Sequence, residues 1–234
     1  MYQELILENS LTLVYEKLPF VRSVSFGLWV GTGSRYETPE LNGISHFIEH
    51  MLFKGTETKT AKDIAMAIDN VGGQINAFTG KECTCIYTKT LDEDLELAID
   101  MVADMLFHSR YDKSHIETEK KVVMEEISMY EDYPEEMVHD MLTEEVWSGN
   151  SLGYPILGSC QSVSAITRDD IVEYMRSSYV PENSVISVAG NFDEQKLVEM
   201  VRKYFGGWRS HDFCKVVARK PWFNRSLKVK RKDT

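Results

Sequence analysis

Two histidines and a glutamate in the segment His46-Phe47-Ile48-Glu49-His50 have the residue types and the spacing of a hydrolytic metal site. In an α-helix, positions i, i+3 and i+4 lie on one face. His46 and His50 can therefore reach one metal ion, while Glu49 beside them can take a proton from a water molecule at the metal. This is the H-x-x-E-H order of the inverzincins, the reverse of the H-E-x-x-H order of the zincins.

The residues around this motif indicate a half-buried helix rather than a chance pair of exposed histidines. Asn42 or Ser45 is predicted to cap the helix, and Lys54-Gly55 suits its end. Burying two histidines and a carboxylate is costly unless they bind something. An apolar stripe at helical spacing lies beside the histidines: Ile44, Phe47, Ile48, Met51 and Leu52.

A third ligand is needed, because a catalytic zinc ion usually takes three protein ligands and leaves one position to water. The best candidate region is the predicted helix from Ser114 to Asp132, in which Glu119 and Glu126 lie seven residues apart and so share one face. Glu125 points about 100° away from Glu126. Periodicity alone does not choose between Glu125 and Glu126, and such an acidic run is also typical of a solvated surface.

Several segments, in a fixed order, resemble the pitrilysin-type zinc metallopeptidases. They are GTGSRYE (31–37), GISHFIEHMLFKGT (43–56), VGGQINAFTGKECTCIY (71–87) and EKKVVMEEI (119–127). GYPILG (153–158), the stretch 166–191 and the turn 205–208 fit the same family. The likeness covers nearly the whole chain and is strongest to bacterial relatives of the mitochondrial processing peptidase β-subunit.

This resemblance implies roles for individual residues. His46, His50 and Glu126 would bind Zn²⁺, with Glu126 matching the second glutamate of the family's E-E pair. Glu49 would be the general base. Glu119 would complete the catalytic group by supporting a ligand from behind, since such carboxylates orient ligand histidines.

A substrate-binding strand is implied in the same way. Asn76, Ala77 and Phe78 resemble the edge strand of the family, to which an extended peptide substrate adds as a further strand. Without the family likeness, the favoured interpretation of these residues is an ordinary edge strand.

Composition and charge are those of a globular protein without a nucleic-acid partner. The 234 residues are 43% hydrophobic and 27% charged, which is ordinary for one domain. The net charge of −11 argues against nucleic acid. No apolar run approaches the about 20 residues of a membrane span, and no signal-peptide pattern is visible at the first residues.

The cysteines predict no disulfide and no structural zinc site. Cys83, Cys85, Cys160 and Cys214 lack the paired spacing of a zinc site. They are interpreted as reduced thiols of a cytoplasmic protein.

The order of the patterns predicts an α+β fold, a mostly antiparallel sheet flanked by helices. A hairpin is expected at Asn9-Ser10 and a buried strand from Val24 to Val30. Further strands are expected at 74–79, 83–89 and 184–189, with closing strands at 216–218 and 227–230. Helices besides the two already described are expected at 61–70, 91–108 and 193–205, and after Pro134.

The family likeness also implies a domain organisation and an activity. Residues 1–234 would form a single catalytic N-terminal half-domain, whose similar second half is absent from this chain. The expected activity is a zinc endopeptidase for short or unfolded peptides that needs the second half-domain, or a homologous subunit, for full activity. The chain could alternatively self-associate into a homodimer. The alternatives are a noncatalytic peptide-binding or structural subunit of the same fold, and another kind of zinc hydrolase.

Overall fold

A six-stranded sheet forms the frame of the protein. The computed structural model describes residues 1–210, 220–222 and 229. The strands lie in the order β1-β2-β6-β3-β5-β4, and every neighbouring pair is antiparallel except β2 and β6. Their bounds are β1 (Gln3–Ile6), β2 (Thr12–Lys17), β3 (Ser23–Val30), β4 (Gln74–Thr79), β5 (Thr84–Leu91) and β6 (Ser184–Gly190). The predicted α+β fold with a mostly antiparallel sheet is confirmed.

Eight α-helices are found in the described part of the chain. They are α1 (Ile44–Leu52), α2 (Ala61–Asp69), α3 (Leu95–His108), α4 (Lys113–Asp132), α5 (Pro134–Val146), α6 (Cys160–Ala165), α7 (Arg168–Ser178) and α8 (Glu194–Phe205). Within the same residues, none of these helices has both the length and the apolar character needed to cross a membrane.

The core lies between one face of the sheet and the helices. Along β3 the side chains alternate, so that Phe26 and Leu28 are buried while Trp29 is 37% exposed on the opposite face. The buried face packs in one continuous cluster with the apolar sides of the helices. That cluster includes Phe47 of α1, Val102 of α3 and Phe205 of α8.

The opposite face of the sheet carries an exposed aromatic group. The ring of Phe78 lies 5.6 Å from that of Trp29 and 6.2 Å from that of Tyr87. These rings line a cavity of about 510 Å³, and Cys85, 1% exposed, lies among them. Burial is the main reason that the pKa of Cys85 rises to about 12, which disfavours the reactive thiolate form.

Most predicted elements are confirmed, with two differences. The helix expected at 91–108 begins at Leu95, because Leu91 completes β5 and Asp92–Asp94 form a 3₁₀ turn. Helices α6 and α7 were not anticipated. The sequence does contain a start signal for α7, the capping box of Thr167 and Asp170. The closing strands expected at 216–218 and 227–230 lie outside the described residues, as does Cys214.

Candidate metal centre

Helices α1 and α4 bring together three side chains that could hold a metal ion. His46 and His50 lie one turn apart on α1, with ring centroids 4.7 Å apart. On α4, Oε2 of Glu126 lies 3.8 Å from Nε2 of His46 and 3.5 Å from Nε2 of His50. The ligand atoms of the three residues all lie within 4.8 Å of one another.

This arrangement fits a zinc ion. Zinc bonds to histidine nitrogen and carboxylate oxygen are about 2.0–2.2 Å long, so two atoms that share one ion lie up to about 4 Å apart. Both histidine–glutamate separations meet that limit. Two nitrogens and one oxygen also form a donor set common in catalytic zinc sites.

The structure shows which of the two neighbouring glutamates, Glu125 or Glu126, lies beside the histidines. Glu126 faces the histidines, with 36% of its side chain exposed, whereas Glu125 is exposed to solvent. The 100° between adjacent helical positions is enough to turn one of them away from α1.

Glu119 lies behind His50 instead of among the ligand atoms. It is 4% exposed, and its Oε2 lies 3.1 Å from Nδ1 of His50. Its other oxygen forms an ion pair with Lys54, 2.7 Å away. A hydrogen bond at Nδ1 fixes the ring so that Nε2 points towards Glu126. Sequence reasoning found Glu119 but assigned Lys54 only to the helix end.

Glu49 lies beside the cluster and is held by a residue of β4. The Thr79 hydroxyl donates a 2.6 Å hydrogen bond to Oε2 of Glu49. Burial raises the pKa of the Glu49 carboxyl above its usual value, Thr79 and His50 oppose the rise, and Glu126 adds to it. Sequence reasoning missed Thr79, although strand alternation from Ala77 places it on the buried face.

His46 is the most enclosed of the histidines in the cluster. It is 7% exposed, and among the described residues its buried Nδ1 has no hydrogen-bond partner. Burial, followed by the nearby His50, lowers the pKa of His46 to about 4. The imidazole is therefore neutral at pH 7, as a metal ligand must be.

The start of α1 differs from the expectation. The predicted side-chain cap by Asn42 or Ser45 is wrong, because the N-cap is Gly43, with φ of 96° and no side-chain cap. The carboxylate of Glu37 takes that place, and it accepts hydrogen bonds from the Gly43 N–H at 2.7 Å and the Ser45 N–H at 2.9 Å. Burial raises the pKa of Glu37, and these hydrogen bonds oppose the rise. Glycine is needed at 43, because a Cβ there would lie 2.6 Å from the carbonyl oxygen of Leu157.

The residues expected to bind substrate lie on the edge strand β4. The strand pairs with β5 and is the last in the order of the sheet. Ala77 is buried against the helices, whereas Asn76 and Phe78 are exposed on the other face. Because Thr79 at the end of β4 contacts Glu49, this edge strand ends beside the candidate metal centre.

Comparison with known proteins identifies the family. Residues 12–159 match the family described as insulinase (peptidase family M16), and residues 165–233 match the one described as the peptidase M16 inactive domain. The chain belongs to the M16 peptidase family. The resemblance to pitrilysin-type metallopeptidases is thereby confirmed.

A curated relative supports this family, and solved structures share the fold. An uncharacterized zinc protease of Bacillus subtilis, YmxG, is 48% identical over 97% of this chain and 55% of its own length. A protease from Helicobacter pylori has the same fold, with a TM-score of 0.87 at 23% identity over 95% of this chain and 53% of that one. Pitrilysin gives a TM-score of 0.84 at 21% identity over 94% of this chain and 24% of its own. The chain spans about half the length of the curated relatives that it matches.

Proposed function

We propose that this chain is the metal-binding part of a zinc endopeptidase that hydrolyses short or unfolded peptides. The observation that carries this proposal is the convergence of His46, His50 and Glu126 within 4.8 Å, with Glu49 beside them. Relatives named zinc proteases support the identity of the metal.

The three clustered side chains would hold the metal. Bound there, zinc supplies Lewis-acid activation, which lowers the pKa of a water molecule to about 7. The partial exposure of Glu126 leaves one side of the cluster open for water and substrate.

Glu49 would act as the general base and then as the general acid. Its raised pKa brings the carboxyl closer to the working pH, where proton transfer in both directions is most effective. The hydrogen bond from Thr79 fixes the carboxylate beside the cluster. Glu49 would take a proton from the attacking water and deliver it to the leaving amine.

The substrate would bind along β4, through Asn76, Ala77 and Phe78. An extended peptide can add to a free sheet edge through main-chain hydrogen bonds. The Ala77 N–H donates to Oδ1 of its neighbour Asn76, 2.9 Å away, so an incoming strand would compete with the Asn76 side chain for this donor. Such a strand would run towards Glu49.

Residues 1–234 would form one catalytic half-domain and work with a second half-domain of the same protein or a homologous subunit. This is supported by the 55% coverage of the Bacillus subtilis relative. One half provides only one wall of a substrate chamber, and much of the rate of an enzyme comes from holding the substrate in a reactive geometry.

A noncatalytic peptide-binding or structural subunit is the alternative. The observation that favours it is the match of residues 165–233 to the M16 inactive domain. The three proposed zinc ligands, however, lie within the other matched segment, residues 12–159.

The test measures zinc content and cleavage of a quenched fluorescent peptide. We expect about one zinc per chain in wild type and in Glu49→Gln, and marked zinc loss in His46→Ala. Cleavage, assayed in a longer protein that joins this chain to the proposed second half-domain, should disappear in Glu49→Gln. Equal zinc in wild type and His46→Ala would refute the ligand assignment, and peptide binding without cleavage in wild type would favour the alternative.

A further inference from the structure

The first turn of α1 is fixed by a carboxylate from outside the helix. Glu37 is 6% exposed and accepts hydrogen bonds from Gly43, Ser45 and the side-chain amide of Asn42 at 2.7–2.9 Å. The first N–H groups of a helix have no partners within it, and Gly43 has no side chain to offer. The Glu37 carboxylate therefore acts as the cap, and its charge faces the positive end of the helix.

The same turn is held from a second side by α7. The Ser45 hydroxyl lies 3.0 Å from the hydroxyl of Tyr174, which in turn lies 2.8 Å from that of Thr32. Tyr174 is 8% exposed. Ser45 immediately precedes His46, so both anchors act on the residue next to a candidate ligand.

The two histidines of the cluster are oriented in different ways. His50 is held through its ring by Glu119. The Nδ1 of His46 has no partner among the described residues, so no hydrogen bond to the ring sets its direction. The position of its Nε2 therefore depends on packing and on the placement of the α1 backbone, which Glu37 holds.

We propose that Glu37 is a positioning residue for the zinc centre, and that its carboxylate fixes the turn of α1 that aims His46 at Glu126. The inference rests on the proposed zinc site and deepens it. Loss of the carboxylate would loosen the first turn and misplace one ligand of three, while the ligands themselves remain.

The experiment compares zinc affinity in a Glu37 variant and in a control variant that loses stability in another part of the core. Zinc is titrated against a chromophoric chelator in wild type, Glu37→Gln and Leu197→Ala, at a temperature at which all are folded. Leu197 is fully buried in α8, which packs against α3, so its truncation destabilises the protein by opening a cavity away from the contacts of Glu37. We expect Glu37→Gln to weaken zinc binding on the order of 10-fold, as for other groups that orient metal ligands. Leu197→Ala should not weaken it.

A spectroscopic readout separates geometry from stability. The visible absorption of the Co²⁺-loaded protein should change in Glu37→Gln and stay the same in Leu197→Ala. If Glu37→Gln does not fold, Asn42→Ala removes one donor to the carboxylate and should weaken zinc binding less, but in the same direction.

Wild-type zinc affinity in the folded Glu37 or Asn42 variant would overturn the inference and leave the zinc site intact. Equal weakening in Leu197→Ala would also overturn it. A wild-type chain that binds no zinc would overturn the proposed function together with the inference.

Discussion

His50 shows how a proposed metal ligand is held by groups from more than one element. Its ring is hydrogen-bonded to Glu119 of α4, and Lys54, just beyond α1, pairs with the same carboxylate. A carboxylate with 4% exposure is expensive to keep charged unless it is paired. Lys54 therefore keeps Glu119 available as an acceptor for the ring of His50.

This arrangement predicts that substitution of two glutamates on α4 has different effects on zinc binding. Glu119→Gln should weaken zinc binding or activity by about 10–100-fold, because an amide holds the His50 ring less firmly. Glu125→Gln is the matched control, since it is exposed and turned away from the cluster. Zinc affinity of the chain and peptidase activity of the longer protein are the measurements. A larger effect at Glu125 than at Glu119 would mean that α4 presents a different face to α1.

At the scale of residues, the sequence predicts which side chains share one face of a helix, because helical periodicity sets those positions. The i, i+4 spacing places His46 and His50 together, and the seven-residue spacing puts Glu119 and Glu126 on one face. The choice of Glu126 over Glu125 needed the family likeness. The contacts of Thr79 and Glu37 with α1 were not predicted. Each residue lies in another segment of the chain, and local periodicity does not indicate which segments meet.

At the scale of elements, α1 and β4 work as a pair. α1 carries the histidines and Glu49, and β4 brings Thr79 to Glu49 while its outer edge has no strand partner in the described part of the chain. The two strands of the hairpin, β4 and β5, were predicted from their apolar patterns. The edge position of β4 was also expected, from the family likeness, but the full strand order was not, because it depends on contacts distant in sequence.

The edge position predicts how substrates bind. In an added strand, alternate N–H groups point towards the sheet. Peptides that carry one N-methyl group should therefore bind poorly with a period of two residues along the sequence, because every second methyl group removes a donor and blocks the edge. Inhibition constants of such a series, measured on the zinc-loaded longer protein, provide the test. A penalty independent of position would exclude strand addition along β4.

For the whole molecule, we predict that this chain alone is a weak peptidase although it carries all the proposed ligands. If two halves form the substrate chamber as proposed, one half alone would neither enclose a substrate nor exclude water from it. Cleavage of a quenched fluorescent peptide should be weak with this chain, full with the longer protein, and partly restored when a separately made second half is added. The Glu49→Gln chain plus the same second half is the control and should stay inactive. Full activity of the chain alone would contradict the proposal of two cooperating halves.

The central strand of the sheet is the last of the described strands to leave the ribosome. β6 lies between β2 and β3 and pairs with both, for example Ser187 with Val14 and with Gly27. Before it emerges, only two separate pieces can form, β1 with β2 and β3 with β5 and β4. Each then carries an open edge that can pair with a neighbouring chain. Pairing across such long sequence separations is slow. We therefore expect the nascent chain to pass through a late, aggregation-prone stage in which α1 is already made but has no complete sheet to pack against.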